Sequence, residues 1–377
     1  MIPTLTDEQR LLKDSLERFR QQDYAFEKRK VQLAKLGAKD DPVWARFAEL
    51  GWLAATLPED HGGLGGSHAD LALMMEQFGR GLVTSPFVPT VVLGATALRL
   101  AGSAAQKSEI LAGVAEGRTR LALAYLEPPG QADPAIVATR AHRDGDHYAI
   151  SGSKLAVLYG NVADHLIVSA RTSGELNDDR GISLFLVPAD SRGLAISGYR
   201  THDDGWAADI RLDGVRITAD ALIGVPDAGL AVLEAALDAG AAAVCAEAVG
   251  AMWTLHDMTL DYIKIRKQFG ATIGSFQAIQ HRMVNMYMKC QLAQSMALAG
   301  MAALDSADAQ ARSRAVSAAK VQVGRAARHV GEEAIQLHGG IAMTDEYAAG
   351  HYFKRLTMIR LMFGDEEYHL RRYRSLG

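Results

Sequence analysis

The segment Tyr262-Ile263-Lys264-Ile265-Arg266-Lys267-Gln268-Phe269-Gly270, followed by Ile273-Gly274-Ser275-Phe276-Gln277, decides how the chain is read. Upstream of it, Met252, Leu255, Met258, Tyr262 and Ile265 form one apolar stripe at helical spacing, while Val249, Trp253, Leu260 and Ile263 form a second. A helix apolar on two faces belongs in the core of a bundle. Ser275 is placed to cap a second long helix running to about Leu304. A third is expected from about Ala309 to His338, with Gly339-Gly340 suited to a left-handed C-terminal cap. Arg266 offers a planar fork for phosphate oxygens, and the glycine pair lets a ligand approach the backbone. On spacing alone, however, Arg266 between Lys264 and Lys267 reads as a solvated helix end, and the glycines read as a plain cap.

Working outward, the first 118 residues read as helices. Thr6 with Gln9 makes a capping-box signature, after which Leu12, Leu16 and Phe19 share a face. Pro58 to Gly66 carries a proline and four glycines and must be a loop, with His61 solvated within it. Helical spacing returns at Leu71, Met74, Met75 and Phe78, and again over Gly94 to Leu111. Between about 119 and 224 the grammar changes to short β-type runs. Asp144-Gly145 signals a hairpin between Ile136 to Thr139 and Tyr148 to Ile150, and further runs are His165 to Ser169, Ile182 to Val187 and Ala208 to Ile217. The expected organisation is α+β: a helical domain at 1–118, a small β-barrel domain at 119–224 and a helical bundle at 225–377.

Composition narrows the function classes. In 377 residues, 40 Lys and Arg against 44 Asp and Glu give a formal charge of −4, with no basic footprint for nucleic acid. Apolar residues make up 49% and charged residues 22%, and no uninterrupted apolar run has the length of a membrane span. Met1 to Arg20 lacks the pattern of a secretory signal. Cys245 and Cys290 alone support neither a disulfide framework nor a metal site, and the histidines show no H-x-x-x-H pair, so a reducing cytoplasm and no metal are expected. No G-x-S-x-G elbow is present. Met283, Met286, Met288, Met296 and Met301 read as bundle packing.

In this order of parts, the quoted segment resembles the flavin-dependent acyl-CoA dehydrogenases. Three more segments match in sequence order: Pro58 to Gly66 resembles their P-E-x-x-G-G-x-G loop, Gly152-Ser153-Lys154 their G-x-K strand, and Gln336-Leu337-His338-Gly339-Gly340 their Q-x-x-G-G turn. The resemblance implies that Arg266, Gln268, Phe269, Gln277, Gln336, Gly339 and Gly340 reach across a dimer interface to the adenine and diphosphate end of FAD held by a neighbouring chain. It also implies an acyl-CoA substrate and electron-transfer flavoprotein as electron acceptor.

Departures from the family are concentrated elsewhere. Where the family has T-E-P, G-S-D and then an aromatic two residues before a hydroxyl, this chain has Leu126 before Glu127-Pro128, Ala132 before Asp133, then Ala156 and Leu158. The hydroxyls that bond the flavin edge are gone. The base position, a carboxylate before glycine, holds Phe363, and the alternative family site aligns with Gly240, beside Ala241. Asp365 and Glu247 remain as weak substitutes for the base, with a structural role preferred for both. Loss and retention thus separate by role, as in the small, base-lacking subunits of heteromeric acyl-CoA dehydrogenases such as the pimeloyl-CoA dehydrogenase small subunit and two-component enzymes of steroid side-chain catabolism. An α2β2 assembly with a second acyl-CoA dehydrogenase subunit is expected. A self-sufficient enzyme with a displaced base and a non-enzymatic, DNA-associated member of the fold are the alternatives.

Overall fold

A computed structural model describes residues 5–128 and 132–377; the first four residues of the polar N-terminus lie outside it. The leading helices are α1 (Asp7–Arg18), α2 (Phe26–Leu33), α3 (Pro42–Glu49), α4 (His68–Gly81), α5 (Ala95–Ala101) and the short α6 (Ala104–Gln106) and α7 (Ala112–Ala115). Thr6 accepts from the Gln9 amide at 3.2 Å while the Gln9 side chain returns to the Thr6 amide at 3.2 Å, closing the expected capping box. The apolar run Gly94 to Leu111 does not form one helix. It breaks at Gly102, and Ser103 with Gln106 makes a second capping box that restarts the chain. His61 is not solvated: its side chain is 16% exposed and Nδ1 is buried without a hydrogen-bond partner.

The middle segment forms β1 (Leu121–Ala124), β2 (Arg140–Asp144), β3 (His147–Leu158), β4 (His165–Arg171), β5 (Ile182–Pro188), β6 (Leu194–Arg200), β7 (Trp206–Thr218) and β8 (Leu222–Ile223). They make one sheet in the order β6-β7-β3-β2-β4-β5-β8, with β1 pairing β4, so β6 and β8 stand at its ends. The hairpin turn falls at Gly145, but the strand before it is Arg140–Asp144 rather than Ile136 to Thr139. That short run is pinned instead by Glu127, whose carboxylate accepts from the amides of Ala138 and Thr139. The sheet's core gathers Ile150, Val157, Leu166, Val168, Phe185, Ile210 and Val215 on one face.

The C-terminal helices are α8 (Gly229–Ile265), α9 (Gln277–Ala302), α10 (Ala309–His338), α11 (Ala348–Leu361) and α12 (Glu366–Ser375). In length and composition α8 would suit a membrane span, with mean hydropathy 1.6 in its most apolar window, but 72% of that window is buried in the protein. Ser275 does not cap α9. Its hydroxyl donates to the Thr272 carbonyl, and Phe276 takes the cap position. Gly339 ends α10 at φ 66°, ψ −147°, a conformation open to glycine but outside the left-handed helical cap expected there.

By packing, the chain forms two compact units: one joins the chain up to Val31 with His68–Val83 and Ala241–Gly377, the other joins Gln32–Ser67 with Thr84–Gly240. Within the first, α4 and α8 cross backbone to backbone. A Cβ at Gly79 would lie 1.9 Å from the Glu247 carbonyl, and one at Gly250 would lie 1.9 Å from that of Glu76.

Candidate functional site

Between α8 and α9 the chain makes a two-stranded hairpin, β9 (Lys267–Gln268) with β10 (Ala271–Thr272), whose tip is Phe269 at φ 54° and Gly270 at φ 79°. Two successive left-handed residues give the primed turn that a tight hairpin requires. Gly270 adopts it freely, whereas Phe269 adopts it at a cost of about 1–2 kcal/mol. The Phe269 ring is 92% exposed and meets the Phe276 ring edge to face, at 6.4 Å between centroids. Arg266 is exposed, and its side chain makes no hydrogen bond or ion pair among the described residues. Gln268, Gln277 and Gln336 are also exposed, and a Cβ at Gly339 or Gly340 would meet nothing within 4 Å. An aromatic ring, a free guanidinium, three side-chain amides and bare backbone thus stand open, and this donor set fits a diphosphate and an aromatic heterocycle.

On the sheet, the positions where the resemblance places contacts to a flavin ring carry apolar side chains. Leu158 packs against an apolar cluster of Leu33, Leu36, Tyr159 and Val162. Ala156 sits in a bulge of β3 at φ 48°, with its amide donating to Asp209 at 3.0 Å. Leu126 contributes its carbonyl to the Leu155 amide at 2.9 Å. None of these three side chains, nor that of Ala132, carries a polar atom for the edge of the ring. Glu127 and Lys154 are retained as a structural pair. Lys154 Nζ lies 2.5 Å from Glu127 Oε1 and 2.9 Å from Ser169 Oγ, with both charges buried. Burial pushes the Lys154 amine down while Glu127 holds it up. Removing either partner would strand the other, at a cost of about 3–5 kcal/mol.

The third region is the turn after α11, where Phe363 at φ 58° and Gly364 at φ 101° are both buried. His369 Nε2 lies 3.0 Å from the Phe363 carbonyl, and Lys320 Nζ donates to the Gly364 carbonyl at 2.9 Å. Asp365 caps α12 by accepting from the Tyr368 amide at 2.9 Å. Glu247, 2% exposed, is held by Arg355, whose Nε and Nη2 donate to its two carboxylate oxygens at 2.5 and 2.7 Å. Gly240 is buried in α8 and brings no side chain. Both acids therefore have structural partners. The buried Cys245 and Cys290 thiols are pushed up to about 12 by burial and are inert. No group of three metal-binding side chains occurs among the described residues.

Sequence reasoning missed Lys320, His369 and Arg355. Lys320 reads as one more polar residue on a helix, and the Glu247–Arg355 pair joins residues 108 positions apart, which no local spacing can reveal.

Models of the acyl-CoA dehydrogenase N-terminal, middle and C-terminal domains match residues 6–118, 122–215 and 227–374. The chain belongs to the acyl-CoA dehydrogenase family, FAD-dependent oxidoreductases acting on CH–CH donors. It is 30% identical over 371 residues to the probable acyl-CoA dehydrogenase YngJ of Bacillus subtilis, covering 96% of each chain. Among solved structures, a variant of the Tcur3481–Tcur3483 steroid ACAD superposes with a TM-score of 0.88 at 28% identity, over 99% of this chain and 98% of that one. The ChsE4–ChsE5 complex from Mycobacterium tuberculosis shares the fold, with a TM-score of 0.88 at 24% identity over 99% and 97% of the chains.

Proposed function

We propose that this chain is the base-lacking subunit of a heteromeric acyl-CoA dehydrogenase and completes the FAD site of a catalytic partner. The observation that carries the reading is the turn at Phe363: its backbone is left-handed and it presents a buried aromatic side chain at the position that the resemblance matches to the family's carboxylate. The separation of open cofactor contacts at the hairpin from apolar substitutions on the sheet supports the same reading. So does the paired designation of the steroid ACAD structure at 28% identity.

When bound, the flavin supplies hydride acceptance from an acyl-CoA thioester. The work of this chain is to bind and orient. Arg266 would hold the diphosphate, Phe269 would offer its ring to an aromatic group, and Gln268, Gln277 and Gln336 would supply side-chain amides. Gly339 and Gly340 admit the cofactor to backbone contact, since no Cβ stands in the way. The Cα proton of the substrate goes to a carboxylate of the partner, because Asp365 and Glu247 are already engaged in this chain. Assembly is α2β2, and electrons leave to an electron-transfer flavoprotein. A self-sufficient enzyme would need one of those two acids free. A DNA-associated role finds no support in a formal charge of −4.

The test is Arg266→Ala in the assembled complex. Losing a charge-assisted phosphate contact of about 1.5–3 kcal/mol should weaken FAD binding by roughly 10- to 150-fold at a site whose ring pocket lies in the other chain. Unchanged FAD affinity in a titration would make Arg266 a surface residue.

A further inference from the structure

Three aromatic rings from three segments meet behind the open cofactor contacts. Tyr262 stands one helical turn before Arg266 on α8, whose last turn is closed by the Arg266 amide donating to the Tyr262 carbonyl at 2.9 Å. His338 is the last residue of α10 and directly precedes Gly339. Tyr347 stands at the start of α11, after the turn Gly339–Met343. The His338 ring touches both tyrosines, with centroids 4.6 Å from Tyr262 at 33° and 5.1 Å from Tyr347 at 56°.

We infer that the Tyr262–His338–Tyr347 ring cluster is the positioning element of the cofactor half-site, setting the distance between the Arg266 guanidinium and the Gly339-Gly340 backbone. The inference rests on the reading of those residues as FAD contacts. Its ground is that the contacts have no support of their own. Arg266 makes no side-chain bond among the described residues, and open space surrounds both glycines, so their separation is fixed only by what anchors the chain beneath them. His338 is 3% exposed, and its Nδ1 lies 2.8 Å from the Ala334 carbonyl. Burial lowers its pKa below the ordinary value, while the backbone carbonyls of Ala334 on its own helix and of Met258 on α8 hold it up. The ring is held by the Ala334 carbonyl of its own helix, by the Met258 carbonyl of α8 and by tilted contacts with the two tyrosine rings. The Tyr262 ring contact and the Met258 carbonyl together join α8 to α10 at this ring.

The test is FAD affinity of the deflavinated assembly, with melting temperature measured in parallel. An aromatic pair is worth enough that His338→Ala should weaken FAD about three- to tenfold, while His338→Phe, which keeps a ring, should stay within about twofold. Combined with Arg266→Ala, His338→Ala should add less than about twofold, because a positioning residue has nothing left to position. Tyr347→Leu, at a partly exposed site, should weaken FAD by about threefold and serves if His338→Ala does not fold. Wild-type affinity in His338→Ala or Tyr347→Leu, or a full multiplication of the His338 and Arg266 effects, overturns the inference alone. Unchanged affinity in Arg266→Ala overturns the cofactor reading, and the inference falls with it.

Discussion

Phe363 keeps a left-handed backbone that costs a side-chain-bearing residue about 1–2 kcal/mol, and two buried groups hold the carbonyls of its turn in place. Beside it, Asp365 is an N-cap rather than a base. Asparagine caps a helix about as well as aspartate, so Asp365→Asn should change stability by less than about 0.5 kcal/mol. Turnover of the complex should change by less than about tenfold, against the roughly 10²–10⁴-fold loss expected of a general base, as read in a dye-linked assay. His369 gives the turn a pH dependence. Burial, with Lys320 and Arg372 adding to it, lowers its pKa from the ordinary 6.5 to about 3. Neutral His369 donates from Nε2 to the Phe363 carbonyl and accepts at Nδ1 from the Ser317 hydroxyl. Between pH 6.5 and about 3 the unfolded chain therefore binds more protons, and stability present above 6.5 is lost as the pH falls. Wild type should lose about 2–4 kcal/mol more than His369→Gln between pH 7 and 4 in urea titrations, and equal losses would show that His369 does not control the acid limb. Phe363 and Asp365 were legible in the sequence by position. Lys320 was not, because its acceptors on Arg360 and Gly364 lie 40 and 44 residues away.

Along α9, Val284, Tyr287, Met288 and Leu292 are 56%, 47%, 49% and 53% exposed, at helical spacings that place them on one face. An apolar stripe left open along a long helix is suited to a partner helix. Val284→Asp with Leu292→Asp should leave the stability of the isolated chain within about 1 kcal/mol while abolishing assembly, as measured by native mass. Retained assembly would move the interface elsewhere. The sequence was informative about α9 to a limited depth: Met283, Met286 and Met301 pack inside as expected, but Met288 lies on the open stripe, since periodicity locates a face without saying whether it is covered. The bounds of α10 were legible to the residue, although its cap, Asp308, was missed. Strand β6 went unread because it is largely exposed and lacks the alternation of a half-buried strand, and β2 was displaced because its residues, Arg140 to Asp144, are mostly polar. Their pairing comes from neighbours in the sheet rather than from local pattern.

For the whole molecule, the order of helices, sheet and helices was legible from the change in hydrophobic period. The grouping of His68–Val83 with Ala241–Gly377 was not, because it depends on glycines that let α4 and α8 cross at backbone contact. The same limit applies to the candidate site. Motifs located the open hairpin and the glycine turn, while the ring cluster beneath them and the buried ion pairs needed three dimensions. What the molecule lacks is as consistent as what it keeps: no polar side chain at Leu126, Ala132, Ala156 or Leu158 for a flavin ring, and no carboxylate at Phe363 for a proton. On the proposed reading the chain supplies half of a cofactor site. Visible absorbance against protein concentration decides this, for the chain purified alone and for the chain purified with its partner. Little or no FAD alone, and about one FAD per two chains in the complex, is the expected result, given one complete pocket per pair. One tightly held FAD per chain in the isolated protein would contradict it.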